Sequence, residues 1–427
     1  MIKRLRLPFS VSPRTAGRLH PHVFPPASRN HPFSNARGLS SQAVTIPALD
    51  NLTLPYVWLR DSCQCPSCIH PSTRQKLHRT SDLVAARPVP GGVAYHHDEG
   101  VLRVKWEGGH ESAYERGWLE RYADPGKLAA FHREVERVEW DAKRVSESSA
   151  LFVPYEDLQK PAGLLTAIEQ LVKYGLLFVS GVPNQETSHE RCELTRLAER
   201  FGEIRETFYG RVWDVKNVER SKNIAYTNLD LGLHMDLLYF QHPPRYQILH
   251  CLRNRVAGGS SLFLDAIHAA RELRSDDPAA FDTLAATPVP FHYINDGHHL
   301  HCAHPTIELA SPSLTSTSTP TSRPATAHPG PDVAFVNYSP PFQAPLAPAT
   351  PPAFYTALRA FASILADPAN THEYTLREGD AVVFDNRRVL HARRSFGEGE
   401  RWLKGCYLEA DSVLDRMRVL QGRVGKV

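Results

Sequence analysis

His234-Met235-Asp236 puts an imidazole and a carboxylate two residues apart. On extended backbone, side chains at i and i+2 share one face. A second imidazole brought in from elsewhere would complete a two-histidine, one-carboxylate set that leaves three positions open on Fe(II). His391 is the natural partner, because it follows the apolar run Ala381–Phe384 within Arg388-Val389-Leu390-His391. Arg401 comes ten residues later, where a guanidinium could clamp a carboxylate bidentately. One His-x-Asp pair among 22 histidines is weak by itself, and could be a surface histidine beside a capping aspartate. The ordered pattern of pair, distal histidine and arginine is far more specific. It points to iron chemistry with a 2-oxo acid and O2, in which the protein places the reactants and excludes water.

Aromatic residues crowd the same motifs. Tyr209 and Trp213 precede the pair, Tyr226 lies eight residues before His234, and Tyr407 lies six after Arg401. Ring faces of this kind can hold a quaternary ammonium; ordinary core packing is the commoner fate of Tyr and Trp. A separate cluster, Cys63-x-Cys65-x2-Cys68, collects three thiols within six residues. Tetrahedral zinc needs a fourth ligand, and His70, His78, His96, His97 and His110 are candidates. His110 is preferred, because the Gly108-Gly109 turn after a strand can return it to the cluster. No open position is evident, so the zinc would be structural. The competing reading is three reduced surface cysteines or a redox pair.

These groups need a scaffold, and 427 residues with 42% apolar content suffice for two or three domains. Seven cysteines are too few for a disulfide scaffold. No apolar run is long enough to span a membrane. Residues 1–49 hold seven basic residues and no acid, the composition of a mitochondrial leader; a basic tail on a cytoplasmic protein is the alternative. Of 49 basic residues the remaining 42 face 46 acids, so the body is mildly acidic at −4 and does not resemble a nucleic-acid binder. Residues 50–122 read as a small β-rich domain, with Val101–Trp106 a strand, and 123–150 as a charged connector. Residues 151–427 mix strands and helices. Leu164–Tyr174 and Arg191–Arg200 have helical spacing, while 176–179, 246–252, 261–264 and 381–384 read as strands. The Ser/Thr/Pro tract at 310–330 reads as a disordered insertion.

Tyr56-Val57-Trp58-Leu59-Arg60-Asp61-Ser62-Cys63-Gln64-Cys65-Pro66-Ser67-Cys68 resembles the N-terminal module of the γ-butyrobetaine and trimethyllysine dioxygenase family. Asn223-Ile224-Ala225-Tyr226-Thr227, Gln247-Ile248-Leu249-His250-Cys251, Leu390-His391-Ala392-Arg393-Arg394 and Gly405-Cys406-Tyr407-Leu408 are similar to it in the same order. The resemblance implies a mainly β fold, a double-stranded β-helix (jelly-roll) core with flanking helices, preceded by a small zinc-binding β domain. It implies Fe(II), 2-oxoglutarate and structural Zn(II) as cofactors, with ascorbate as reductant. It assigns His234, Asp236 and His391 to iron, Arg401 to the distal carboxylate of 2-oxoglutarate, and Cys63, Cys65, Cys68 and His110 to zinc. Tyr209, Trp213, Tyr226 and Tyr407 would form a trimethylammonium cage. Asn223 and Asn337 would face the substrate or co-substrate.

Partners would be a small-molecule substrate and O2, and the family commonly forms homodimers. The full cysteine triplet, Pro243-Pro244 and the ending Asp415–Leu420 lean toward hydroxylation of γ-butyrobetaine to L-carnitine. Tyr239-Phe240-Gln241, the leader and Gly405-Cys406-Tyr407 lean toward N6-trimethyllysine. A non-catalytic reader of methylated lysine is a more distant alternative, and the intact triad argues against it.

Overall fold

The computed structural model describes residues 42–83, 86–216, 228–310 and 332–425. The leader reading up to residue 41 and nearly all of the 310–330 tract lie outside that range, as do Asn223 and Tyr226. The described chain forms two compact units that meet in sequence at Arg116 and Gly117.

In the first unit, β1 (Ala43–Ile46) pairs antiparallel with β2 (Leu52–Pro55). β3 (Pro88–His96), β4 (Val101–Trp106) and β5 (Glu111–Glu115) form an antiparallel sheet in that order. β4 alternates as a half-buried strand should: Leu102, Val104 and Trp106 are buried while Arg103 and Lys105 face out. The boundary at residue 49 needs correction. Residues 43–49, assigned to the leader, are folded, with Ile46 and Leu49 buried. Composition missed this because the segment carries no charge of either sign, so it neither extends nor contradicts the basic stretch before it.

The second unit contains β6 (Phe152–Pro154), β7 (Leu176–Ser180), β8 (Ile204–Arg205), β9 (Trp213–Lys216), β10 (Leu231–His234), β11 (Tyr246–Asn254), β12 (Ser261–Asp265), β13 (Pro288–Asn295), β14 (His298–Pro305), β15 (Ile307–Leu309), β16 (Val333–Val336), β17 (Thr371–Tyr374), β18 (Ala381–Asp385), β19 (Val389–Arg393) and β20 (Arg401–Leu408). The larger sheet runs β6-β7-β18-β11-β20-β8, with β9 also on β20. The smaller runs β10-β19-β12-β17. These sheets form the jelly-roll expected from the motifs. Alternation along β11 and β20 sends Gln247, Leu249, Leu403 and Tyr407 into a cavity, which β12 and β19 line with Ser261, Phe263, His391 and Arg393. Residues of opposite parity on the larger sheet, such as Ile248, Cys406 and Leu408, join the core with helices Pro161–Tyr174, Glu193–Phe201 and Ala410–Val424. The helix Pro161–Tyr174 starts on proline at its first turn and stops at Gly175, whose φ of 73° is open to glycine.

The connector reading of 123–150 is also corrected. Asp124 and Asp141 cap the short helices Pro125–Phe131 and Ala142–Ser146, and Trp140 and Val145 are fully buried. A buried ion pair moors the segment. Arg388 donates to both carboxylate oxygens of Asp265 at 3.1 and 2.7 Å, and to the carbonyl of Val138 at 2.5 Å. Asp265 also accepts from the Trp140 N–H at 3.2 Å. High local charge suggested a solvated linker; a single tryptophan and these interior hydrogen bonds outweigh it.

Candidate active site

His234 ends β10 and lies directly opposite His391 of β19 in the antiparallel register. Directly opposed residues project from the same face of a sheet. Their ring centroids are 4.2 Å apart. Asp236 follows after one residue, and the chain turns sharply at Leu237, where φ is 60°. One ligand atom from each of His234, Asp236 and His391 lies within 4.8 Å of the others. His234 Nε2 is 3.4 Å from one Asp236 carboxylate oxygen and His391 Nε2 is 4.0 Å from the other. The Nδ1 atom of His234 is 2.9 Å from the Gly232 carbonyl. A proton donated there leaves Nε2 as the lone-pair donor that a metal requires.

The carboxylate is positioned from two sides. The Asp236 N–H donates to Asn386 Oδ1 at 2.8 Å, and Asn386 Nδ2 donates back to the Asp236 carbonyl at 3.0 Å. The Tyr407 hydroxyl donates to Asp236 Oδ2 at 2.9 Å. Burial pushes the Asp236 carboxyl up. The His234 hydrogen bond, both imidazoles and Tyr407 outweigh this and hold it well below the usual carboxylate range. His391 is pushed down to about 3 by burial and then by the neighbouring His234, so it is neutral near pH 7. Two imidazole nitrogens and one ionised carboxylate are a donor set that fits Fe(II).

Arg401 opens β20 and lines the same cavity. Burial, then Arg393, lowers it to about 10, so it remains charged at neutral pH. Its Nη2 approaches the Gly259 carbonyl at 3.5 Å. Tyr209, Trp213 and Tyr407 also line the cavity. Trp213 and Tyr407 pack on each other, with centroids 4.3 Å apart, so a cation has no room between those two faces. Trp213 fits because its partner across the β9–β20 ladder is Gly405, where a Cβ would fall 2.6 Å from the indole.

Asn337 is placed differently from the expectation. It is buried outside the cavity lining, and its amide is bound to the Pro305 carbonyl, Glu308 and Arg387. It braces the wall instead of facing a ligand. Tyr239 and Asn386 were not singled out from the sequence. Tyr239 lines the cavity, with Phe208 and Tyr293 packed against it. The signal for it was the aromatic run after Asp236, read earlier only as a family marker.

In the first unit, Cys63, Cys65, Cys68 and His110 each bring one ligand atom within 4.8 Å of the rest. His110 Nε2 lies 3.4, 3.8 and 3.7 Å from the three sulfurs. The ladder of β4 and β5 around the Gly108-Gly109 turn aims it there. Burial raises the Cys68 thiol to about 11 despite a hydrogen bond from Arg60, with neighbouring Cys63 and Cys65 adding to the rise. Burial lowers His110, keeping it neutral. Cys65 moves the other way: burial raises it, but hydrogen bonds from Cys63, the Ser67 backbone and Cys68 outweigh this and lower it. Three thiols and an imidazole gathered this closely suit a cation such as Zn2+.

A jelly-roll that converges two histidines, an aspartate and a buried arginine on one cavity defines the class of 2-oxoglutarate-dependent dioxygenases. Residues 147–407 match the model for the taurine catabolism dioxygenase TauD, TfdA family, and the chain belongs to that family. Residues 41–120 match the gamma-butyrobetaine hydroxylase-like N-terminal model. The dioxygenase str8 of Strobilurus tenacellus is 51% identical over 86% of this chain and 85% of its own. A gamma-butyrobetaine dioxygenase from a Pseudomonas species is 31% identical over 91% and 96%. The mitochondrial trimethyllysine dioxygenase of Mus musculus is 31% identical over 86% and 82%. Among solved structures, a taurine dioxygenase from Burkholderia xenovorans aligns over 64% of this chain and 90% of its own, at 17% identity and TM-score 0.43. Residue roles do not transfer across that distance.

Proposed function

We propose that the protein hydroxylates a small trimethylammonium amino acid, with γ-butyrobetaine the leading substrate and L-carnitine the product. The observation that carries this reading is the shared cavity: Tyr209, Trp213, Tyr239 and Tyr407 line the space that also holds His234, Asp236, His391 and Arg401. Fe(II) and 2-oxoglutarate, when bound, would supply O2 activation, the C1–C2 bond of 2-oxoglutarate breaking to release CO2, with one oxygen atom going to the succinate formed and the other to the substrate as hydroxyl. His234, Asp236 and His391 would hold the iron, and Arg401 would bind the distal carboxylate of 2-oxoglutarate. Tyr209 and Tyr239, with the outward faces of the Trp213–Tyr407 pair, would receive the methylated cation; a desolvated contact of this kind contributes about 2 kcal/mol. Holding the cation fixes which C–H faces the metal site. Cys63, Cys65, Cys68 and His110 would bind structural zinc.

N6-trimethyllysine is the second reading, supported by relatives named for that activity at the same 31% identity. The 51% identical relative carries no substrate in its name. A panel of γ-butyrobetaine, N6-trimethyllysine and their unmethylated analogues, scored by succinate release, tests the assignment. Highest kcat/KM on γ-butyrobetaine supports the leading reading, and preference for trimethyllysine transfers it to the second. Equal turnover of the unmethylated analogues removes the cation from the account. The basic N-terminal stretch supports import into mitochondria; a fluorescent fusion that stays in the cytoplasm would overturn that placement.

A further inference from the structure

The β13–β14 hairpin carries a histidine set that the proposed reaction does not use. Its register pairs His292 with His301 and Ile294 with His299. Phe291 and Tyr293 point inward and are buried, so their neighbours His292 and Ile294 point outward. His299 and His301 are both exposed on that outer face. Three imidazoles therefore share one side of the ribbon: two at i and i+2 on one strand, the third directly across from one of them. Directly opposed Cβ atoms lie about 4.5–5.5 Å apart, and i, i+2 positions on a strand about 6.6 Å apart. The rings of His299 and His301 stand open, with centroids 6.3 Å apart. In the described side-chain positions the three imidazoles are not gathered within the 4.8 Å that joins the ligand atoms of the other two clusters, so a cation would have to draw the rings together by rotation about their side-chain torsions, to metal–nitrogen distances of about 2.0–2.1 Å.

We infer that His292, His299 and His301 form a surface site for a divalent late first-row cation, Zn2+ being the natural occupant. Three imidazoles are a sufficient protein donor set for zinc, with water completing the tetrahedron. Neighbouring side chains suit an open site: the face between the histidines carries exposed Ile294 and no acid within the paired strands. A bound cation would link β13 to β14. The inner side of the same hairpin packs Tyr293 against Tyr239, with centroids 5.3 Å apart, so the tie would stiffen the wall behind the cavity.

The test is equilibrium dialysis of the full chain against Zn2+ near pH 7.5, read as metal per chain, with circular dichroism to verify folding. The wild-type protein should bind one equivalent more than a His301→Ala variant. His299→Ala should weaken that equivalent by no less than the roughly 10–100-fold caused by loss of a supporting contact. The two buried clusters are common to all variants and cancel in the difference. His132→Ala, an exposed histidine on another element, should bind as the wild type does. Equal zinc content in wild type and His301→Ala would overturn the site, as would loss of the equivalent in His132→Ala. Neither result bears on succinate release, so the hydroxylase reading stands or falls separately.

Discussion

Arg401 has one expected task, and its chemistry makes the task measurable. Arg401→Gln removes a charged hydrogen-bond donor, a loss of about 1.5–3 kcal/mol, or roughly ten- to a hundredfold in the KM for 2-oxoglutarate. Burial lowers its pKa, yet the guanidinium stays charged across the working range. Steady-state assays should therefore find this KM flat from about pH 7 to 9. Asn386 acts differently. Asn386→Ala frees the Asp236 backbone and should weaken Fe(II) binding by about 10–100-fold, measured by anaerobic titration, with folding retained. The two residues also differ in legibility. His234, Asp236, His391 and Arg401 could be read because their chemistry follows from residue type and short spacing. Asn386 serves through a backbone contact 150 residues away, which no local pattern encodes. Asn337 matched a motif, yet its amide is consumed by neighbours that become adjacent only on folding.

Strand pairing sets what the individual elements tolerate. Gly405→Ala would drive a Cβ into the Trp213 ring. Overpacking of this kind costs about 1–3 kcal/mol. Urea denaturation should show the loss, and the KM for the ammonium substrate should rise while that for 2-oxoglutarate holds. In the smaller unit, Cys65→Ser should release one zinc equivalent, measured by a chromogenic chelator, and lower the unit's unfolding temperature. β4, β7, β11, β12 and β18 were visible as apolar or alternating runs, and the helix Pro161–Tyr174 was visible from residue 164 onward by its spacing. Short strands such as β8 and β10 were not, since two to four residues give periodicity nothing to repeat.

For the molecule as a whole, buried titratable groups set the acid limit. Burial pushes His250 down to about 4, while its unfolded counterpart titrates near 6.5. The unfolded chain therefore takes up the proton first. Stability from this residue is full above about pH 6.5 and falls as pH drops toward 4, by up to roughly 3 kcal/mol. Urea midpoints across that window should decline, and His250→Gln should flatten part of the slope. Sheet order escaped the sequence altogether, because β10-β19-β12-β17 joins strands far apart in the chain. The jelly-roll entered through the resemblance that the metal motif carried, not through strand prediction.

Anyone shortening this chain to its smallest working piece meets a constraint in the tie between Arg388 and Val138. A fragment cut at residue 147, where the family match starts, would strip a carbonyl acceptor from a guanidinium three positions ahead of His391, and an N–H donor from Asp265. A fragment that keeps this mooring begins upstream of Val138.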